Sequence, residues 1–433
     1  MKRFFAICCV FLTAPVARSD AQATADSLRL STLRAAAFDT DPRAAQLELL
    51  AAQSALRLQN ISAESRPVLS FDAQGQYQSD VATIPVNLPG VNLPTPANDT
   101  YDARLGAQQR LYDPSAAPRR KAERAQVAES QARVRSALYG IAELVNTAFF
   151  TALRSDTQVA ELETTVTDLE AQLLFADARV RAGTALSGES MVLRAEVLRR
   201  RQAVAEQVSI RRAAIAVLSS LAGRQIDPAA PLSSPDLARD VATVRGALDT
   251  LRNRPEYEQF SLARDAVERA DDVRAAQDRP RLSAFGRLGY GRPGLNPLGD
   301  RFDAWWLAGV QLQWTPWNWG ATRRERQIGE LQRRILTTEE QSFRAAIARA
   351  VEQELVSIDR LESAVAQDNQ IIALRESILS ETRARYAEAV VTSADYVDRQ
   401  TDVLAARLSR ALHRVELSQA RTRLLTTLGV EVR

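Results

Sequence analysis

Four short segments of the chain alternate between apolar and polar side chains, the pattern of a β-strand with two different faces. In residues 69–78 the apolar positions, among them Leu69 and Phe71, alternate with Ser, Asp and Gln. The same period of two returns near residues 106, 286 and 310. We therefore predict four strands, over 66–80, 100–113, 279–292 and 303–315.

The length and polar face of these strands favour a membrane-spanning sheet. About 10 residues are enough for a tilted strand to cross a bilayer. The polar positions are rich in Gln, Ser and Gly, which suits the wall of a water-filled lumen. A soluble sheet that packs its apolar face on a core gives the same alternation and remains the alternative.

Between the strands the sequence predicts helices that are too long for a compact domain. Residues 115–181 contain no Pro and Gly only at Gly140, so they predict one helix of about 100 Å. Apolar residues spaced alternately by four and three, from Leu162 to Val180, are typical of a coiled coil. We predict long helical hairpins over 115–222 and 321–428, each with a shorter helix ahead of its strands.

The two halves of the chain repeat the same landmarks in the same order, at an offset slightly above 200 residues. RPVLSF at 66–71 corresponds to RPRLSAF at 279–285, and RVRAGTALSGES at 179–190 corresponds to RYAEAVVTSADY at 385–396. This pattern predicts a tandem duplication, with a first repeat at 24–223, a linker or equatorial segment at 224–250 and a second repeat at 251–433.

The first 23 residues have the pattern of a secretory signal peptide. Lys2 and Arg3 precede an apolar run, and Ala21 and Ala23 form an A-x-A cleavage pattern. Both cysteines of the chain, Cys8 and Cys9, lie inside that apolar run. We expect an exported mature protein without a thiol, and no other stretch approaches the roughly 20 apolar residues of a membrane-spanning helix.

Composition argues against nucleic-acid binding and against most enzyme classes. The chain has 56 basic and 53 acidic residues, so it lacks the basic excess of a nucleic-acid protein. It has one histidine and no phosphate-binding or nucleophile-elbow motif. We predict no catalytic residue, no cofactor and no metal site.

Four strands are too few to close a barrel around a lumen. An open sheet edge in lipid leaves backbone groups unpaired, at several kcal/mol each. The chain is therefore expected to form an oligomer, and three copies would supply 12 strands.

The order of these features resembles the TolC-like outer membrane efflux protein family over essentially the whole mature chain. The resemblance rests on the duplicated layout, on the strand-to-helix junctions LYDPS and PWNWG, and on the two helix reversals at 183–190 and 389–396. It implies a homotrimer with a 12-stranded outer-membrane barrel continued by an α-helical periplasmic tunnel. Such a protein would be a passive exit duct, opened by a periplasmic adaptor and an inner-membrane pump driven by protons or ATP.

The resemblance also implies roles for residues at the two reversals. The turns would contact the adaptor, where Gly183 and Thr184 keep the family's Gly-Thr pattern while Ala389 and Val390 depart from it. The closed entrance would be lined by four residues: Asp395, Asp398, Glu189 and Tyr386. An arginine expected two residues after the second turn is replaced by Val391, so the lock of the closed state is expected to differ. An ordinary solvated helix face is the alternative for the two aspartates.

All five tryptophans of the chain lie within 15 residues at the last strand and its junction. They are Trp305, Trp306, Trp314, Trp317 and Trp319. We predict that they anchor the sheet at the membrane interface, while an aromatic core cluster is the alternative.

Two other functions stay open at this stage. A periplasmic adaptor would be expected to show one helical hairpin flanked by Gly-rich β-modules, and an exported coiled-coil scaffold would have no pore. The transported substrate, whether drug, metal ion or protein, cannot be read from the sequence.

Overall fold

The computed structural model describes residues 27–81, 96–246, 253–296 and 300–431. The predicted signal peptide, residues 1–23, lies outside the described residues. So do the ends of the predicted linker and second repeat, at 247–250 and 432–433.

The first half of the chain runs from two short helices through a strand pair into a long hairpin. A 3₁₀ turn at Pro42–Ala44 separates the first two helices. The elements are α1 (Leu30–Thr40), α2 (Ala45–Ala63), β1 (Val68–Tyr77), β2 (Asp99–Tyr112), α3 (Ala116–Tyr139), α4 (Ile141–Arg181) and α5 (Ser187–Leu221).

The second half has the same order of helix, strand pair and long hairpin. Pro255 is the first residue of α7. A proline costs no hydrogen bond at this position, because the first N–H groups of a helix have no partner within the helix. The elements are α6 (Ala238–Arg245), α7 (Pro255–Gln277), β3 (Arg281–Arg292), β4 (Asp303–Gln313), α8 (Ala321–Ala387) and α9 (Ser393–Leu428).

The longest uninterrupted helix is in the second half of the chain. Helix α8 has 67 residues, about 100 Å at 1.5 Å per residue. The helix of similar length that the sequence predicts over 115–181 is confirmed as a helical stretch over Ala116–Arg181, with a one-residue interruption between α3 and α4 at Gly140, whose φ of −61° and ψ of −19° remain helical. Glycine costs about 1 kcal/mol in a helix interior relative to alanine, which explains why the interruption falls at this residue.

The four strands form one antiparallel sheet in the order β1-β2-β3-β4, so the two halves of the chain meet between β2 and β3. Residues that pair directly across neighbouring strands project from the same face of a sheet. One such row contains Phe71, Leu105, Leu288 and Trp306. The register therefore brings the apolar positions of all four strands onto one face.

The opposite face is mainly polar and carries charged side chains. Asp72 pairs with Arg104, and one row further along, Gly106 pairs with Arg287. Phe285 and Leu307 lie on this face as well. The charged positions belong to the same alternating pattern, so the two faces differ in polarity.

The main hydrophobic core lies away from the sheet, where α1 and the ends of both long hairpins pack together. Phe149 and Phe150 of α4 are almost completely buried and contact each other edge to face at 5.4 Å between ring centroids. Ile215 of α5 and Leu425 of α9 belong to the same cluster. Within Ala116–Arg181 one 18-residue window is apolar enough to cross a membrane, but 56% of it is buried inside the protein, as in a core helix.

The linker segment packs on the beginning of the described chain. Leu28 donates its amide hydrogen to Pro231 O at 2.8 Å, and Ser233 donates to Leu28 O at 3.1 Å. These bonds form a parallel bridge between Leu28 and Leu232. The segment between the two hairpins is thereby tied to the N-terminal side of α1.

Helices α7 and α8 approach each other closely at a glycine in α8. A Cβ atom at Gly329 would lie 2.3 Å from Asp271 Oδ1, so a larger residue would displace the Asp271 side chain. Asp271 is buried and its two carboxylate oxygens accept hydrogen bonds from Arg274 and Arg333. Aromatic contacts of Tyr257 and Phe260 with Phe343 also hold the two helices together.

Candidate functional site: the helix tip and the two faces of the sheet

The two hairpins reverse through turns with the same backbone geometry. Gly183 and Ala389 both adopt a left-handed conformation, with φ of 73° and 60°. In each turn the next residue donates its amide hydrogen to the carbonyl five residues back: Thr184 to Arg179 and Val390 to Arg385, both at 2.9 Å. Ala389 therefore keeps the shape of the first turn although it lacks the glycine that normally favours positive φ.

Behind these turns, a buried cluster joins the two hairpins. It includes Leu169 of α4 and Leu193 of α5 from the first hairpin. Tyr386 of α8 and Tyr396 of α9 belong to the second, and their rings stack at 5.6 Å between centroids. Both tyrosines are almost fully buried, so the tip is a packed structure and not two independent turns.

One hydroxyl group of this cluster lacks a hydrogen-bond partner. The Tyr396 hydroxyl is buried without a partner among the described residues, whereas Tyr386 lies beside the Glu189 carboxylate. Burial raises the pKa of Tyr396 to about 12. Burial also raises the pKa of Tyr386, and the charge of the nearby Glu189 carboxylate raises it further. Because a buried group without a partner costs free energy, Tyr396 is held in this cluster by its packing and not by hydrogen bonding.

Arg179 of α4 is the cation that contacts Tyr386. Its guanidinium carbon lies 5.8 Å from the Tyr386 ring centroid, and its Nη1 donates to the Tyr386 carbonyl oxygen at 3.5 Å. The resemblance implies an arginine two residues after the second turn, where Val391 stands. The arginine that contacts Tyr386 belongs to the other hairpin instead, so the sequence around the second turn contains no signal for it.

Two further polar contacts join the hairpins above the tip. Gln400 Nε2 donates to Asp168 Oδ2 at 3.4 Å, and Arg200 Nη2 donates to Thr401 Oγ1 at 3.0 Å. Each contact links the first hairpin to α9. The second hairpin has an internal charged contact as well, because His413 Nδ1 lies 2.6 Å from Asp368 Oδ2.

The structure separates the four predicted entrance residues into two pairs. Tyr386 belongs to the buried cluster, and the half-buried Glu189 lies beside it. Asp395 and Asp398 are exposed on the first turns of α9. Asp395 forms a capping box with Thr392, whose hydroxyl donates to Asp395 Oδ2 at 2.6 Å. This hydrogen bond is the main cause that lowers the pKa of Asp395, so the carboxylate is ionised at neutral pH.

The predicted interface tryptophans do not all share one face. Trp306 lies on the apolar face, opposite Leu288, whereas Trp305 lies on the polar face opposite Gly289. A Cβ atom at Gly289 would lie 2.3 Å from the Trp305 ring, so the indole covers this glycine. Trp305 and Trp306 therefore lie on opposite faces of the sheet, because neighbouring strand residues project to opposite sides.

The other three tryptophans lie where the sheet meets the helices. Trp314 follows the last residue of β4, and its Nε1 donates to Asp278 O at 3.1 Å. Trp317 and Trp319 are 71% and 80% exposed and contact each other at 5.9 Å between centroids. Large exposed indoles at one end of an amphipathic sheet suit the polar boundary of a bilayer.

A second aromatic group lies at the other end of the sheet. Tyr101 of β2 and Tyr290 of β3 both stack on Phe302, at 6.3 Å and 5.7 Å between centroids. Tyr77 at the end of β1 is 75% exposed. Aromatic residues thus flank the apolar face at both ends. Among the described residues no group of three or more His, Cys, Asp or Glu side chains is placed to hold a metal ion.

Solved structures of bacterial outer membrane proteins share this fold over almost the whole chain. CusC, a protein described for its transmembrane channel formation, matches with a TM-score of 0.68 and 16% identity over 93% of this chain and 92% of its own. VceC, an outer membrane protein of Vibrio cholerae, matches with a TM-score of 0.67 and 14% identity over 93% and 97%. The open-state outer membrane channel MtrE of Neisseria gonorrhoeae matches with a TM-score of 0.66 and 16% identity over 94% and 90%.

The TolC-like fold expected from the sequence is therefore confirmed. No family model matches the chain, and no curated protein matches it in sequence. At these low identities the similarity establishes the fold, which the chain shares with outer membrane channels.

Proposed function

We propose that this protein is an outer-membrane exit duct with a periplasmic extension, part of a tripartite efflux or secretion system. One observation carries the proposal: the register of the sheet places apolar side chains of all four strands on one face and charged and polar ones on the other. The fold shared with outer membrane channels supports the same function. The chain would itself perform no chemistry.

The duct is a homotrimer in this proposal, because one chain has two open sheet edges. Every residue of β1 is exposed, and β4 has β3 as its partner on one side. Pairing β4 of one copy with β1 of the next would satisfy both edges and close a barrel of 12 strands around a lumen. The helices that precede β1 and follow β4 in the chain also carry exposed apolar residues, Leu49 and Leu56 of α2 and Ile328, Leu331 and Ile335 of α8, which contacts between copies would cover.

The long hairpins would extend the lumen into the periplasm and end at the turns around Gly183 and Ala389. We propose that these turns, with Thr184 and Val390, contact a periplasmic adaptor. The matching backbone of the two turns supports two similar contacts in each copy. An inner-membrane pump, driven by protons or by ATP, would supply the energy for transport.

The exposed carboxylates of Asp395 and Asp398 would surround the entrance at the tip. In a trimer six carboxylates would meet near one axis, where they attract cations and repel one another. The buried Tyr386 and the half-buried Glu189 beside it would hold the closed arrangement from behind. The tip would thus combine a ring of carboxylates, which attracts cations, with a packed cluster that keeps the entrance closed.

Recordings in planar bilayers test this function. The purified protein is expected to conduct ions with a preference for cations, and the double variant Asp395→Ala with Asp398→Ala to lose that preference. A protein that inserts and never conducts would contradict the duct and favour a scaffold. Unchanged selectivity and conductance in the double variant would reject the carboxylate ring, while a protein that stays soluble without detergent would favour an adaptor.

A further inference from the structure

The polar face of the sheet contains a small recess floored by a glycine. Ser70 of β1 and Arg287 of β3 flank Gly106 of β2, because Gly106 pairs with both residues in the sheet. The recess has a volume of about 100 Å³ and is also lined by Asp72, Arg104 and Gln108. A Cβ atom at residue 106 would lie 2.7 Å from Ser70 Oγ, so the recess depends on the missing side chain. We call it the Gly106 recess.

The two arginines of the recess differ in how their charge is balanced. Arg104 lies between two carboxylates, with Nε 3.7 Å from Asp72 Oδ2 and Nη1 3.8 Å from Asp102 Oδ2. Arg287 takes part in no ion pair with any other described residue. Its guanidinium carbon lies 5.8 Å from the centroid of the Phe285 ring. Arg287 is therefore the uncompensated positive charge of the recess.

The donors around the recess match the needs of an oxyanion. An arginine guanidinium binds carboxylate or phosphate oxygens in a bidentate manner, and it keeps its charge at any physiological pH. The Ser70 hydroxyl and the Gln108 amide add neutral donors beside it. The Phe285 ring next to Arg287 adds an apolar surface, which favours an organic anion over a small inorganic one.

We propose that Arg287 and the Gly106 recess form a contact site for organic oxyanions, in particular aromatic carboxylates, on the wall of the duct. The inference rests on the proposed function, in which the polar face lines the lumen and three copies of the recess surround it. Anionic solutes that leave the cation-attracting tip region would then find a favourable contact within the barrel. The site would thereby add a preference for anionic cargo that the tip carboxylates do not provide.

Single-channel recordings with benzoate as the probe test the site. Benzoate added to the wild-type channel in potassium chloride is expected to cause transient blocks of the current. Arg287→Gln is expected to shorten the mean block about three- to fivefold, the effect of losing one solvent-accessible ion pair. Arg287→Lys, which keeps the charge, is the matched control and should retain most of the block.

A second variant tests the shape of the recess separately from the charge of Arg287. Gly106→Ala fills the floor without changing any charge and is expected to shorten the blocks as well. Blocks of unchanged length in Arg287→Gln, or in Gly106→Ala, would overturn the contact site while the duct itself still conducts. A wild-type protein that inserts without conducting would contradict the proposed function and, with it, this site.

Discussion

Replacing Leu288 by arginine is expected to prevent stable assembly of the protein in the outer membrane. Leu288 lies near the middle of β3 on the apolar face, is 60% exposed and pairs with Leu105 and Trp306. An arginine on the lipid face of a β-barrel costs about 2–4 kcal/mol at the bilayer midplane, and a trimer would contain it three times. The amount of protein in the outer-membrane fraction after cell fractionation measures the effect.

Gln311→Arg is the matched control, because it adds the same charge to the opposite face. Gln311 is exposed on β4 and pairs with Ser283, so its side chain projects from the polar face. We expect this variant to reach the membrane at the wild-type level. Equal loss of both variants would contradict the assignment of the two faces, as would normal membrane assembly of Leu288→Arg.

Replacing Tyr396 by alanine is expected to loosen the tip and open the entrance. The Tyr396 side chain is completely buried and stacks on Tyr386, so its removal leaves a cavity in the cluster that joins the hairpins. Truncation of a large buried aromatic residue costs about 3–5 kcal/mol. We expect a higher single-channel conductance, together with faster hydrogen exchange in the first turns of α9.

The control for this prediction is Tyr396→Phe. The Tyr396 hydroxyl has no hydrogen-bond partner among the described residues, so its removal keeps the packing and relieves an unsatisfied group. This variant should conduct like the wild type. If Tyr396→Ala conducts no better than Tyr396→Phe, the buried cluster does not hold the entrance closed.

The strands and their faces could be predicted from the sequence because they follow a local rule. A period of two fixes which side chains share a face of a strand, so Phe71, Leu288 and Trp306 could be assigned before any coordinates were known. The register that brings them into one row could not be predicted. It depends on pairing between strands far apart in the chain, such as β2 with β3.

The same rule separates the two adjacent tryptophans of β4. Alternation already places Trp305 and Trp306 on opposite faces, yet composition suggested one interface group for all five indoles. The structure shows Trp305 against Gly289 on the polar face. Gly140 could also be identified in the sequence. Whether a glycine interrupts a helix depends on both helix propensity and packing, and a sequence pattern gives no information on packing.

The tip illustrates what the sequence could not provide. Tyr386 and Glu189 were predicted near the entrance, but Tyr396 and Arg179 were not, because they join the site only when the two hairpins pack together. Asp395 was assigned to the entrance, and the structure adds that it also caps α9 through Thr392. A local sequence motif is enough to identify such a helix cap, whereas contacts between the two hairpins can be identified only once the fold is known.

We propose that this sheet faces lipid on one side and water on the other, and that only several copies together can close it. The most direct test is the mass of the particle that detergent extracts from outer membranes, measured by size-exclusion chromatography with light scattering. We expect protein that needs detergent and elutes with three copies per particle. A homogeneous particle of one copy, soluble in buffer without detergent, would contradict it.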